Sequence, residues 1–189
     1  MGVSGVRLDL RKIRALVVDD NPQSLELLSQ ILSGFRLGKL TTCPSAEEAR
    51  ALVSRERFDL ILIDFAMPGE DGLHLARHIR SEPALPNHTA PILILHGYTP
   101  EHMVMEARDA GANMVVRKPV APAVLLSRIE WIARDTRNFV ESAGYCGPDR
   151  RLRTVPLTAG VPERRSEALA LVGDPTRAMS QDDITALFG

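Results

Sequence analysis

From Arg14 to about Arg137, short apolar runs alternate with longer stretches in which apolar residues recur at three- and four-residue spacings. The runs 15–18, 39–42, 60–63, 92–95 and 114–116 predict strands, and the stretches 22–33, 45–55, 72–80, 100–110 and 121–134 predict helices between them. Such alternation is the pattern of a parallel sheet covered by helices on both faces. The helix ends carry their own signals. Asn21 can cap a helix beginning at Pro22, which Gly34 can close; Ser45 precedes Glu48 by three residues, as in a capping box; Gly111 follows the fourth helix where a left-handed residue is wanted.

Beyond Arg137 the periodicity stops. The segments Tyr145-Cys146-Gly147-Pro148-Asp149-Arg150-Arg151 and Gly160-Val161-Pro162-Glu163-Arg164-Arg165 mix glycine, proline and arginine, so a packed core is not expected there. Residues 138–178 therefore read as a flexible linker, and residues 1–13 as a flexible lead. The chain ends in Met179-Ser180-Gln181-Asp182-Asp183-Ile184-Thr185-Ala186-Leu187-Phe188-Gly189. Ser180 can cap a short helix with Asp183 at its third position, and Ile184, Leu187 and Phe188 share one face. A helix this short is marginal alone and needs a groove.

Composition narrows the picture only a little. With 189 residues the chain supplies one core and an appendage, and a net charge of −1 gives no global pull toward nucleic acid or an anionic membrane. There is no stretch of the ~20 apolar residues a membrane span requires and no secretory apolar region at the N-terminus, so a cytoplasmic protein with no membrane partner is expected. Cys43 and Cys146 form no CxxC pair, and each reads as a small apolar filler rather than a reactive thiol.

The candidate chemistry lies where the strands end. Val17-Val18-Asp19-Asp20, Leu62-Ile63-Asp64-Phe65-Ala66-Met67-Pro68-Gly69 and Val116-Arg117-Lys118-Pro119 place three carboxylates and an ammonium at carboxyl ends of predicted strands. In an open parallel sheet those ends share one edge, where ligands bind. Two acids there can hold a hard divalent cation, a third can attack phosphorus, and a lysine can neutralise the arriving phosphoryl oxygens. In order and spacing these motifs resemble the receiver domain of two-component response regulators over roughly residues 1–137. The resemblance implies a flavodoxin-like (βα)5 doubly wound parallel sheet, with a mostly unstructured C-terminal extension ending in a short helix. It also implies that Asp64 accepts a phosphoryl group from a histidine kinase, that Mg²⁺ is bound by Asp19, Asp20, Asp64 and the main-chain carbonyl of Ala66, and that Lys118 contacts the phosphoryl group. Such a chain is a signalling switch, not an enzyme with an external product, since it catalyses only its own phosphoryl transfer. Two positions depart from the family. His96 stands where Ser or Thr usually follows the phosphoryl group, so it is either a larger, pH-sensitive reporter or a simple substitution. Val115 stands where a rotating Tyr or Phe is common, and valine cannot make that movement.

The tail carries a second resemblance. Residues 180–188 are similar to the N-terminal segment of the flagellar motor switch protein, which chemotaxis receivers bind. The implied docking residues are Ser180, Asp183, Ile184, Leu187 and Phe188, acting on the chain's own receiver face, on another chemotaxis-like receiver or on a motor component. A coil of ~40 residues spans ~35 Å, enough to reach back over a domain whose radius of gyration is ~14 Å. Arg150, Arg151, Arg153, Arg164 and Arg165 supply a different reading, because guanidinium forks suit phosphates and guanine edges and some chemotaxis-like receivers bind cyclic di-GMP through such extensions. Duplex DNA is not expected, since no recognition helix accompanies the basic cluster. A degenerate receiver serving as a scaffold is the remaining alternative.

Overall fold

A computed structural model describes residues 7–98, 101–135, 137–142, 144–149 and 171–172. Five parallel strands form the central sheet: β2 (Arg14–Val18), β3 (Lys39–Cys43), β4 (Leu60–Asp64), β5 (Ile92–His96) and β6 (Met114–Arg117), in the spatial order β3-β2-β4-β5-β6. Between them run α1 (Pro22–Gly34), α2 (Ala46–Arg55), α3 (Gly72–Ser81) and α4 (Glu101–Asp109), and α5 (Pro122–Arg134) follows β6. This is the expected flavodoxin-like doubly wound sheet.

Alternation along the strands divides the core in two. Leu16, Val18, Ile61, Ile63, Ile92 and Ile94 pack with α2 and α3 through residues such as Val53, Leu75 and Ile79. Their neighbours Ala15, Val17, Leu60, Leu62, Leu93 and Leu95 pack with α1 and α5 through Leu28, Leu32, Leu125 and Ile129. Successive side chains point to opposite faces of a strand, so a strand covered on both sides must be apolar throughout. The run Leu60-Ile61-Leu62-Ile63 meets that requirement, and all of β4 is buried. The register pairs Val18 with Ile63 and Asp64 with Leu95, which brings the carboxyl ends of β2, β4 and β5 level.

The expected caps form at two helices. The Asn21 side chain accepts from the Gln23 and Ser24 amides, and Ser45 Oγ accepts from the Glu48 amide at 3.2 Å. Gly111 adopts φ +83°. Gly34, expected to close α1, is instead its last helical residue, and the left-handed turn falls at Arg36, with φ +58°. Phe35 and Leu37 pack onto the α1–α5 core, which carries the chain past Gly34 before it reverses. The lead before β2 is not free either, for Leu10 and Ile13 are buried in that same core.

The linker expected over 138–178 begins too early. Residues β7 (Phe139–Ser142) and β8 (Tyr145–Pro148) form an antiparallel hairpin that packs against the sheet's amino edge near α3. Its strands are only four residues long, too short for a helical or core-like pattern to register. A pair of glycines makes the docking close: a Cβ on Gly147 would meet the Gly111 Cα at 2.8 Å, and one on Gly111 would meet the Cys146 carbonyl oxygen at 2.3 Å. Further on, β9 (Leu171–Val172) pairs antiparallel with β1 (Arg7–Leu8). The docking helix expected over 179–189 and Arg150, Arg151, Arg153, Arg164 and Arg165 lie outside the described residues.

Arg80 anchors this end of the domain. Only 3% exposed, it donates to the main-chain oxygens of Gly111 (3.0 Å), His88 (2.7 Å) and Ala90 (2.7 Å), and the Phe139 ring covers its guanidinium with 5.2 Å between carbon and ring centroid. Replacing it by methionine keeps bulk but strands three buried acceptors, each costing ~1–3 kcal/mol when unsatisfied. Arg80→Met should therefore lower unfolding stability by about 3 kcal/mol or more in urea titration. A loss under about 1 kcal/mol would mean that water readily replaces the guanidinium.

Candidate functional site

Asp19 follows β2, Asp64 ends β4 and Lys118 follows β6, so the sheet itself delivers the three to one edge. Asp19 is fully buried. Its carboxylate accepts from the Asn21 amide at 3.0 Å, the Ser24 hydroxyl at 2.5 Å and the Lys118 ammonium at 2.6 Å. Asp64, 5% exposed, forms an ion pair with the same ammonium and accepts from the Ala66 amide at 2.9 Å. Asp20 is exposed beside them. One oxygen from each of Asp19, Asp20 and Asp64 lies within 4.8 Å of the others.

The electrostatics follow from that crowding. Burial pushes the Asp64 carboxyl above its ordinary value; Lys118 opposes the shift, and Asp19 adds to it by repulsion. Burial also works against the Lys118 ammonium, but the two carboxylates outweigh it, and its pKa is raised. Lys118 thus stays charged and bridges the two buried acids.

Three neighbours complete the site without having been singled out in the sequence. Ser24 lies in the first turn of α1, where the Asn21 cap turns its hydroxyl toward Asp19. Gly72 starts α3 so close to β4 that a Cβ would sit 2.2 Å from the Asp64 carbonyl oxygen, and its amide donates to the Phe65 carbonyl at 2.9 Å. Phe65 stacks on His96, with centroids 4.3 Å apart and planes at 11°. His96 Nδ1 accepts from the Tyr98 amide at 3.2 Å, which leaves the ring proton on Nε2. Burial lowers the His96 pKa, with Asp64 and Lys118 acting in opposite senses, so the ring is neutral near pH 7. Val115 is half-buried and packs, like Phe65, against the α2–α3 core.

A family model described as the response regulator receiver domain matches residues 15–130. The chain belongs to the receiver family. Its receiver is 40% identical over 120 residues to Protein PetR of Rhodobacter capsulatus, a match covering 63% of this chain and 48% of PetR. It is 38% identical over 126 residues to the virulence sensor protein BvgS of Bordetella pertussis, covering 65% of this chain but 10% of BvgS. The chain therefore spans half or less of the length of these relatives. Among solved structures, the receiver is similar to the chemotaxis response regulator CheY4 of Vibrio cholerae, with a TM-score of 0.59 and 27% identity over 64% of this chain and 98% of that one.

Receiver domains bind Mg²⁺ in an acidic pocket, and the three carboxylates here fit that ion. The donors are all hard oxygens, and exposed Asp20 leaves the cluster open to the waters that Mg²⁺ retains.

Because Asp64 titrates above its ordinary 3.8, the folded receiver holds a proton there that the unfolded chain has released, and stability falls as pH rises through that window. Asp64→Asn removes the penalty. In metal-free buffer the variant should melt higher than wild type at pH 7, with the advantage fading as pH drops below 3.8; equal melting at both pH values would contradict the shift.

Proposed function

We propose that this receiver is a phosphorylation-dependent signalling switch that accepts a phosphoryl group on Asp64 from a histidine kinase. The observation that carries the reading is the Lys118 ammonium held between buried Asp19 and Asp64, with Asp20 completing the oxygen cluster. Asp19, Asp20, Asp64 and the main-chain carbonyl of Ala66 would hold Mg²⁺, which would supply positive charge to offset the phosphoryl oxygens.

A carboxylate oxygen of Asp64 attacks phosphorus, and the bond to the donor nitrogen breaks. Lys118 keeps its contact with Asp19 and turns its remaining donors to a phosphoryl oxygen, so that most of the catalysis is placement and charge. Ala66 and Gly72 hold the strand end from which Asp64 projects. His96, neutral and protonated at Nε2, offers one donor near the site. It then acts as a hydrogen-bonding reporter rather than one that gains charge near neutrality, and its stacking on Phe65 ties it to the residue after the acceptor.

The output belongs to protein contacts of a chemotaxis-like kind. Support comes from the likeness to CheY4 and from the Ser180–Phe188 motif, which we read as a ligand for this receiver face or for a related receiver or motor component. The cyclic di-GMP reading stands on the arginine pattern of the sequence alone. A cytoplasmic location accords with the described residues, none of whose helices is long and apolar enough to cross a membrane.

Incubation with an acyl phosphate and Mg²⁺ should add one phosphoryl group by intact mass. Labelling should vanish in Asp64→Asn and on chelation, and should slow at least about 100-fold in Lys118→Ala, the scale of losing one preorganised charge-stabilising donor. An unlabelled wild type beside a labelled control receiver would make this a degenerate receiver and scaffold. For the tail, truncation before Met179 should shift two-dimensional NMR resonances within 101–134 in the same direction as beryllofluoride treatment or its reverse. If truncation leaves those resonances and partner binding untouched, the tail is not a docking peptide.

A further inference from the structure

A second cluster of titratable side chains lies at the opposite end of the sheet, where the β7–β8 hairpin meets the loop after α3. Cys146 Sγ lies 3.3 Å from His88 Nε2, close enough to share a proton. His88 is 4% exposed, and its ring meets Phe139 edge-on at 5.6 Å. Cys146 is only half-buried.

Buried Arg80 sits behind the pair. Its hydrogen bonds go to carbonyl oxygens of Gly111, His88 and Ala90 and to the Asn113 side chain, all of them dipoles without formal charge. Burial lowers its pKa to about 10, and Cys146 and Tyr145, as anions, favour its charged form. The coupling is mutual: the guanidinium favours a thiolate by whatever the thiolate contributes to the guanidinium. Among the described residues, α3 contributes Arg80, the following loop His88, and β8 Tyr145. From β7, Glu141 pairs in register with Cys146 and opposes a negative sulfur, but it is exposed and screened by solvent. The 3.3 Å contact with His88 gives the thiol proton an acceptor. Cys43 offers the contrast within the same chain: it is 2% exposed and burial pushes its thiol up to about 11.

We propose that Cys146, with His88 as its proton partner and Arg80 as a fixed positive charge, is a reactive thiol site for hydroperoxides. The thiol proton passes to His88 Nε2, and the sulfur attacks the terminal peroxide oxygen. The S–O bond forms as the O–O bond breaks, and the leaving oxygen departs with the bonding pair and takes the proton from His88 as water or an alcohol. Sulfur is oxidised by two electrons to the sulfenic acid, and the peroxide is reduced by two. The site is independent of phosphorylation at Asp64.

The test uses the full chain. Iodoacetamide alkylation is followed across pH by peptide mass spectrometry at Cys146 and Cys43, in buffer and in urea, and hydrogen peroxide is then applied with dimedone to trap sulfenic acid. The expected result is an alkylation midpoint for Cys146 that lies below its own midpoint in the unfolded chain and moves upward in His88→Asn. Dimedone should mark Cys146 and not Cys43. A midpoint equal to or above the unfolded one, a low midpoint that His88→Asn leaves in place, or equal trapping at both cysteines overturns the proposal. Should His88→Asn fail to fold, the wild-type comparison and the trapping decide it.

Discussion

One ammonium holds the acidic edge together. Asp19 and Asp64 are both buried, and their oxygens share a cluster no wider than 4.8 Å with those of Asp20. At an effective dielectric of about 20, like charges about 4 Å apart repel by about 4 kcal/mol, a large part of the roughly 5–15 kcal/mol by which a domain is stable. Lys118 bonds to both buried acids, and the Asn21, Ser24 and Ala66 donors share the remaining load. The same crowding that burdens the fold makes the edge a receptor for positive charge. A cation that joins the carboxylates relieves repulsion, and an incoming phosphoryl group gives Lys118 a further negative partner.

Much of this was readable from residue order. Strands buried on both faces must be apolar throughout, so the runs at 15–18, 60–63 and 92–95 announced the sheet, and the polar residue ending each run had to emerge at the same edge. Asp19, Asp20, Asp64 and Lys118 were legible for that reason. Ser24, Phe65 and Gly72 were not, because their parts depend on distance. A serine in a first helical turn is ordinary until the cap turns it toward a buried carboxylate. A glycine at the start of a helix is ordinary until its missing Cβ proves to be the room that the Asp64 carbonyl needs. His96 was legible as a departure, but its tautomer rests on a main-chain amide that no side-chain pattern reveals.

The hairpin escaped for a similar reason. Its strands are four residues each, and it docks through the Gly147–Gly111 approach and the Phe139 ring over a buried guanidinium whose own partners are mostly carbonyl oxygens. Backbone acceptors leave no trace in a sequence. Arg80 occupies a position in α3 that looks like an ordinary basic residue near a helix end, where the dipole favours one. Burial turns it into the point on which α3, the 82–90 loop, Gly111 and the hairpin converge.

Strand β5 joins the two ends of the molecule. At its carboxyl end is His96, stacked on the residue after Asp64; at its amino end the Ile92 amide is held by the Asn113 side chain, which also accepts from Arg80. Five residues of extended chain make a rod of about 17 Å, gripped on both sides by neighbouring strands. The rod thus presents its imidazole to the acidic edge and its first amide to the acceptor that the buried guanidinium also uses. The cysteine hairpin and the acidic edge occupy opposite poles of the domain, yet one strand separates them.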